Sequence, residues 1–297
     1  PDDDGRGVRG GGAGALGRKE HATRLTRTGH GPAGEPVTFH ATATAGNANR
    51  SAIVPRPSAS ARGGVVFAQQ PVVRLEDSNG NPVPTSGVAV AVTSSGGSLG
   101  GTTTVATVNG IATFTNLSLT GAAGGYFLSF GVPSVTAATS ATITLAAGNA
   151  VRIGVVTQPS TSATSGSVFA QQPAIQLFDA GGNAVGQSGV TITAAIASGG
   201  GSLGGTTAVV TNGSGVAQFT DLSLSGAPGA RTLLFAAPGL TSDTSNAIAV
   251  GNPPPAAIAV NAGDGQSTAA GSAVGTSPSV LVTDAAGHPV SGVLVTF

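Results

Sequence analysis

The hexapeptide VFAQQP stands at residues 66–71 and again, unchanged, at 168–173, an offset of 102. The match extends far beyond six residues. The same offset joins AGNANR at 45–50 to AGNAVR at 147–152, Pro57 to Pro159, Phe67 to Phe169 and Asp77 to Asp179. After a two-residue insertion the register resumes with GGSLGGTT at 96–103 and 200–207, and Phe114 then meets Phe219 at an offset of 105. A period this long exceeds the ~20 to 50 residues of a solenoid unit and fits one independently folding domain per repeat. A third unit opens after GNPPP at 251–255, where Asp284, Gly287 and Val290 fall on Asp77, Gly80 and Val83.

Within each unit the apolar residues alternate. Val73 and Leu75, then Val88, Val90 and Val92, correspond to Ile175 and Leu177, then Val190, Ile192 and Ala194. Period two is the strand period, with one face packed and the other in water. The runs are short, rich in β-branched residues and broken by SNGNP, SSGG, VNG and AAGG, and neither full unit carries a 3.6-residue stripe. The reading is all-β, with each repeat a sandwich of hairpin-connected strands. The 48 glycines and 18 prolines are then turn residues.

VFAQQPVVRLEDSNGNPV, SLGGTTTVATVNGIATFTNLSL and the third unit's NAGDGQSTAAGSAVGTSPSVLVTDAAGHPVSGVLVTF resemble bacterial immunoglobulin-like repeats of large surface and secreted proteins. The third unit is most similar to the Big-1 type found in the stalks of intimin and invasin adhesins. The resemblance covers roughly residues 45–297 and rests on the aspartate-to-valine hairpin turn and the glycine-apolar-Ala-x-Phe strand. It implies tandem immunoglobulin-like β-sandwich domains arranged end to end, and a setting outside the cell or on its surface. The membrane barrel, lectin-like tip and cell-wall anchor of such proteins have no counterpart in these residues. The Cys, Trp, Cys signature of antibody-type domains is missing, because the chain has neither residue.

The expected division is a disordered or low-complexity basic segment over 1–34, the tail of a preceding repeat and a junction over 35–51, full repeats at 52–148 and 149–252, and the truncated start of a Big-1-like repeat at 253–297. A chain that opens on Pro1 and stops at Phe297 inside an alternating run is expected to be a piece of a longer protein. Nine of the twelve Lys and Arg lie at or before Arg62.

Candidate chemistry is sparse. With no cysteine, zinc–thiolate sites, iron–sulfur clusters, disulfides and thiol nucleophiles are excluded. A net charge of zero and 8% charged residues do not give the basic footprint of a nucleic-acid binder. No run of apolar residues is long enough for a spanning helix. Asp77, Asn79 and Asn81 match positions 1, 3 and 5 of a calcium loop, but Pro82 and Val88 stand where that loop needs glycine and glutamate. The stretch reads instead as a hairpin turn capped by the aspartate, with Gly80, Gly182 and Gly287 at the left-handed position. His288 aligns with Asn81 and Asn183 and is a turn residue by the same logic. GGSLGGTT has neither the lysine nor the helix of a phosphate loop. Beyond residue 62 the remaining carboxylates, Glu76, Asp221, Asp243 and Asp264, form no pair that the two full repeats share, so glycosidase chemistry is not indicated.

The expectation is therefore no catalytic, cofactor-binding or metal-binding residue, no cofactor, and a structural spacer or stalk segment of a bacterial cell-surface or secreted protein. Its expected partners are neighbouring immunoglobulin-like repeats and an unidentified surface ligand, protein or glycan, with no nucleic acid. The alternatives are a ligand-binding module that uses its loops, and an accessory array of a secreted polysaccharide-degrading enzyme.

Overall fold

The structure, a computed structural model, describes residues 24–30, 36–42, 44–285 and 287–296, with side chains from residue 44 onward. Every regular element among them is a strand. Two compact units divide the chain. Pro1–Ala59, Val66–Ser118 and Gly125–Ile143 form one, and Ser60–Val65, Leu119–Gly124 and Thr144–Phe297 form the other.

In the first unit, Arg50–Ile53, Val72–Glu76 and Ile111–Thr113 form one antiparallel set, and Thr104–Ala106, Ala89–Ser94, Leu128–Val132 and Val135–Thr139 form another. A parallel bridge between Thr136 and Arg50 joins the two sets into one seven-stranded order. The alternation in the sequence is realised directly: Val90 and Val92 are buried while Ala89 and Ala91 are exposed. Between the sets lie Val73, Leu75, Ala112, Phe114, Leu117 and Phe130, all buried. The rings of Phe114 and Phe130 meet edge-on at 5.4 Å, an arrangement that aromatic quadrupoles favour.

The second unit repeats the plan. Arg152–Thr157, Ala174–Phe178 and Val216–Gln218 form a three-stranded antiparallel sheet. Ser162–Thr164, Ile248–Gly251, Gly229–Ala236, Thr191–Ser198 and Ala208–Val210 follow one another in the second sheet. One core holds Phe219, Phe235, Ile175, Leu177 and Leu233, with the two phenylalanine rings 5.5 Å apart. Paired, mainly antiparallel sheets around one apolar core, repeated in tandem, make the fold immunoglobulin-like.

The third unit's opening hairpin, Ala257–Ala262 with Ser279–Thr283, copies the register of Arg152–Thr157 with Ala174–Phe178, including the irregularity before the last pair. Within the stretch expected to be disordered or low-complexity, Arg24–His30 is a strand, paired antiparallel with Pro36–Thr42 through a seven-pair register. Thr26 and Thr28 opposite His40 and Thr38 supply β-branched residues that the basic composition had masked. The rest of that segment, 1–23 and 31–34, lies outside the described residues.

Candidate functional site: turn aspartates and glycine loops

The residues with the most chemistry on offer are the turn aspartates. Asp77 is buried, and its Oδ1 accepts from the backbone N–H of Asn79 at 2.9 Å and of Asn81 at 2.8 Å. Its Oδ2 accepts from Asn81 Nδ2 at 2.9 Å and from Gly46 N–H at 3.0 Å. These bonds, led by those from Asn81, hold the Asp77 carboxyl at about 2. A carboxylate that accepts several N–H bonds is stabilised in its charged form. Asp179 repeats the arrangement, with Oδ1 to Asn183 N–H at 2.8 Å and Oδ2 to Gly148 N–H at 2.7 Å. Burial raises its pKa, and the bonds from Asn183 and Gly148 more than offset that, leaving it lowered.

Gly46 and Gly148 belong to the AGNA stretches, so in each repeat the turn aspartate binds the backbone of the junction that precedes it. Asn183 adds two further bonds: Nδ2 donates to Gly121 O at 2.8 Å, and Oδ1 accepts from Ala123 N–H at 2.7 Å. In the third hairpin Asp284 Oδ1 accepts from His288 N–H at 2.9 Å, and His288 Nδ1 lies 3.4 Å from Asp284 Oδ2. Gly80, Gly182 and Gly287 have φ of 85°, 81° and 84°, the left-handed backbone the sequence called for. All three stretches are one turn: in the first, the Asp77 carboxylate, the Asn79 and Asn81 N–H groups and the Asn81 side-chain amide all bond within it.

The GGSLGGTT loops are capped from within. Thr102 N–H donates to Asn116 Oδ1 at 2.8 Å, and Thr206 N–H and Oγ1 donate to Asp221 at 2.8 and 2.9 Å. A Cβ at Gly101 or Gly205 would meet the carbonyl oxygen of Asn116 or Asp221 at 2.1 or 2.2 Å, so close backbone approach requires both glycines. One amide of each loop, that of Thr102 and that of Thr206, thus already has an acceptor within the repeat.

Two features escaped the sequence reading. Gln70 Nε2 donates to the carbonyls of Phe67 and Leu117, and its Oε1 accepts from Leu117 N–H, each at 3.0 Å. Gln172 does the same with Phe169 and Leu222. The unchanged hexapeptide thus combines a core phenylalanine with a glutamine that staples it to the residue preceding a strand, 47 or 50 residues later. The second is Arg231, 3% exposed, which donates to the carbonyls of Gly200, Gly229 and Ala227. Its counterpart Tyr126 lies over Gly96. Burial of the guanidinium against a glycine loop has no signal in the sequence.

Glu76 is the remaining buried carboxylate. Arg50 Nη2 and Arg74 Nη2 donate to it at 2.5 and 2.6 Å. Asp243 Oδ2 accepts from Val155 N–H at 2.9 Å, and Asp264 Oδ1 from Gly265 N–H at 3.0 Å. The structure brings no two of these carboxylates together. A shallow concavity of about 340 Å³ is lined by Arg56, Ser58, Gln69, Thr142 and Ile143 among others, without a carboxylate or histidine. No helix among the described residues is long and apolar enough to cross a membrane.

No protein-family profile matches the chain, and no curated protein matches it. Among solved structures the chain is similar to the D00-D0 domain of intimin, with 17% identity over 68% of this chain and 98% of that one, at a TM-score of 0.35. It is similar to FdeC, an Escherichia coli adhesin, with 19% identity over 84% and 78% at a TM-score of 0.34. For the Yersinia pseudotuberculosis adhesin InvE the identity is 21% over 67% of this chain, at a TM-score of 0.28, and the chain spans 58% of that structure's length.

Proposed function

We propose that the chain is a non-enzymatic spacer, a stalk segment of a bacterial surface or secreted protein built from Big-1-like repeats. The repeats run over 52–148 and 149–252, and a third opens at 253. The observation that carries this reading is where the polar groups of the turns go. Asp77 and Asp179 each bind the backbone of their own preceding junction, through Gly46 and Gly148. The GGSLGGTT loops are closed on Asn116 and Asp221. A module that reads a ligand with its loops would diversify them between copies while keeping its framework. Here the turns at 94–103 and 198–207 agree about as well as the strands do, and the bonded groups of the aspartate turns and glycine loops serve the fold.

A spacer acts through length. Deleting residues 149–252 from the parent protein should shorten its reach by one repeat and leave the affinity of its distal region unchanged. Reach is read as the maximum dimension in solution scattering, and affinity by titration with the parent's ligand. Lost affinity with the remaining repeats still folded would transfer the function to the loops of the deleted repeat.

A further inference from the structure

The chain contains three Asn-Gly pairs, Asn79–Gly80, Asn109–Gly110 and Asn212–Gly213, and each asparagine is exposed. The pair is chemically labile in any chain. A glycine leaves its own amide nitrogen unshielded, so that nitrogen can attack the preceding carboxamide. The surrounding structure separates the three.

Gly80 N–H donates to Asp77 O, and Gly110 N–H to Thr85 O, both at 3.1 Å, so in these two pairs the nucleophile is engaged. Asn109 and Gly110 have φ of 50° and 77° and form a two-residue hairpin turn. The corresponding hairpin of the second repeat is one residue longer. Gly215 N–H donates to Asn212 O at 2.9 Å and Gly215 takes φ of 76°, which leaves Asn212 at the head of the turn. Gly213 N–H has no acceptor among the described residues, and Asn212 Nδ2 has no partner among them. Asn212 Oδ1 accepts from Ser214 N–H at 2.9 Å and from Val216 N–H at 3.1 Å. Two fixed donors on that oxygen draw electrons from Cγ and stabilise the oxyanion that forms when a nucleophile adds to it.

We propose that Asn212 is a site of spontaneous deamidation, with the turn itself supplying the activation. Gly213 N loses its proton to solvent base and bonds to Asn212 Cγ. The tetrahedral adduct collapses, the Cγ–Nδ2 bond breaks, and ammonia leaves with a proton from water. Water then opens the cyclic imide at either carbonyl, giving aspartate or isoaspartate. No redox partner is needed. The product places a new negative charge on an exposed hairpin of the second repeat. The isoaspartate form also routes the main chain through Cγ and removes the side-chain carbonyl that caps Ser214 and Val216.

The test is peptide mapping by mass spectrometry of the whole chain, kept folded at mildly alkaline pH and sampled over time. Acid at position 212 should accumulate about tenfold faster than at 79 or 109, the ratio that ~1.4 kcal/mol in a barrier produces. In strong denaturant the three rates should converge, because the difference lies in the fold. Gly213→Ala adds a Cβ that meets nothing within 4 Å at a residue without positive φ, so it keeps the fold while shielding the nitrogen. It should suppress the reaction. Equal rates at the three sites in the folded chain, or undiminished deamidation in Gly213→Ala, would overturn the proposal.

Discussion

At one cross-strand position the two full repeats hold an arginine by different chemistry. Arg50 stands opposite Glu76 in the first repeat, and Arg152 opposite Phe178 in the second. The first pair is ionic: Arg50 and Arg74 converge on a carboxylate that is 3% exposed. In the second the guanidinium carbon lies 4.4 Å from the centre of the Phe178 ring, and Gln176 replaces Arg74. A compensating change lies two residues along the strand, on the same face. A Cβ at Gly154 would meet Phe178 Cε2 at 2.8 Å, whereas the aligned residue in the first repeat is Ala52. The ring can fold down on the strand only because its neighbour has no side chain. The framework therefore fixes the core and the turns, while a cross-strand pair on the sheet is free to change chemistry if its neighbour changes with it.

The comparison breaks first if the two cores are not equivalent. Phe114 and Phe219 are 1% and 0% exposed, each in ring contact with a second phenylalanine. Replacing either by alanine should cost about 3 to 5 kcal/mol, a large share of the ~5 to 15 kcal/mol of a domain. Denaturant melts of the two variants should give losses of similar size. A loss confined to one of them would mean that the shared sequence packs differently in the two repeats.

Most of this equivalence was legible in the sequence. The offset of the repeat and the period-two alternation placed Val73, Leu75, Phe114 and their counterparts in the core, and the shared Asp and Gly positions placed the turns. What stayed hidden depends on contacts between distant residues. Gln70 and Leu117 are 47 residues apart, and no local pattern links them. Glu76 and Phe178 stand at the same offset of 102, but the partnership of each with its arginine needed the register. Arg24–His30 was hidden by its composition, since a basic, glycine-rich surround obscures a short run of threonines.

The ionic pair gives a smaller and pH-dependent effect. Burial pushes the Glu76 carboxyl up, and the hydrogen bonds and charges of Arg74 and Arg50 more than offset it, so it lies below its ordinary value of 4.5. A lowered folded pKa means that the unfolded chain binds the proton more tightly. The stabilisation is therefore complete above the ordinary carboxylate range and is lost as pH falls through the folded value. Hydrogen bonds to charged groups contribute about 1.5 to 3 kcal/mol, and solvent screening of the half-exposed Arg50 reduces that, so Glu76→Gln should cost roughly 1 kcal/mol at neutral pH. Melts repeated at decreasing pH should show the difference from the parent shrinking toward zero. Asp77, held at about 2, keeps its own contribution until the pH approaches that value. A constant difference at all pH values would show that the charge on Glu76 is not what Arg50 and Arg74 bind.

The smallest effect belongs to the second repeat and tests the aromatic half of the comparison. A cation over a partly exposed ring contributes about 0.5 to 1 kcal/mol. Arg152→Ala should lower stability by that amount, and so should Gly154→Ala, which would push the ring off its place. Because the two changes remove one contact, the double variant should cost little more than either alone, a non-additivity of about 0.5 kcal/mol. Neither partner in the contact is a carboxylate, so lowering the pH to the point where the Glu76 contribution has vanished should leave the Arg152 effect intact. Additive losses, or an Arg152 effect that disappears in acid, would mean that the arginine is held by something other than Phe178. The two repeats would then differ in geometry as well as in chemistry at this position.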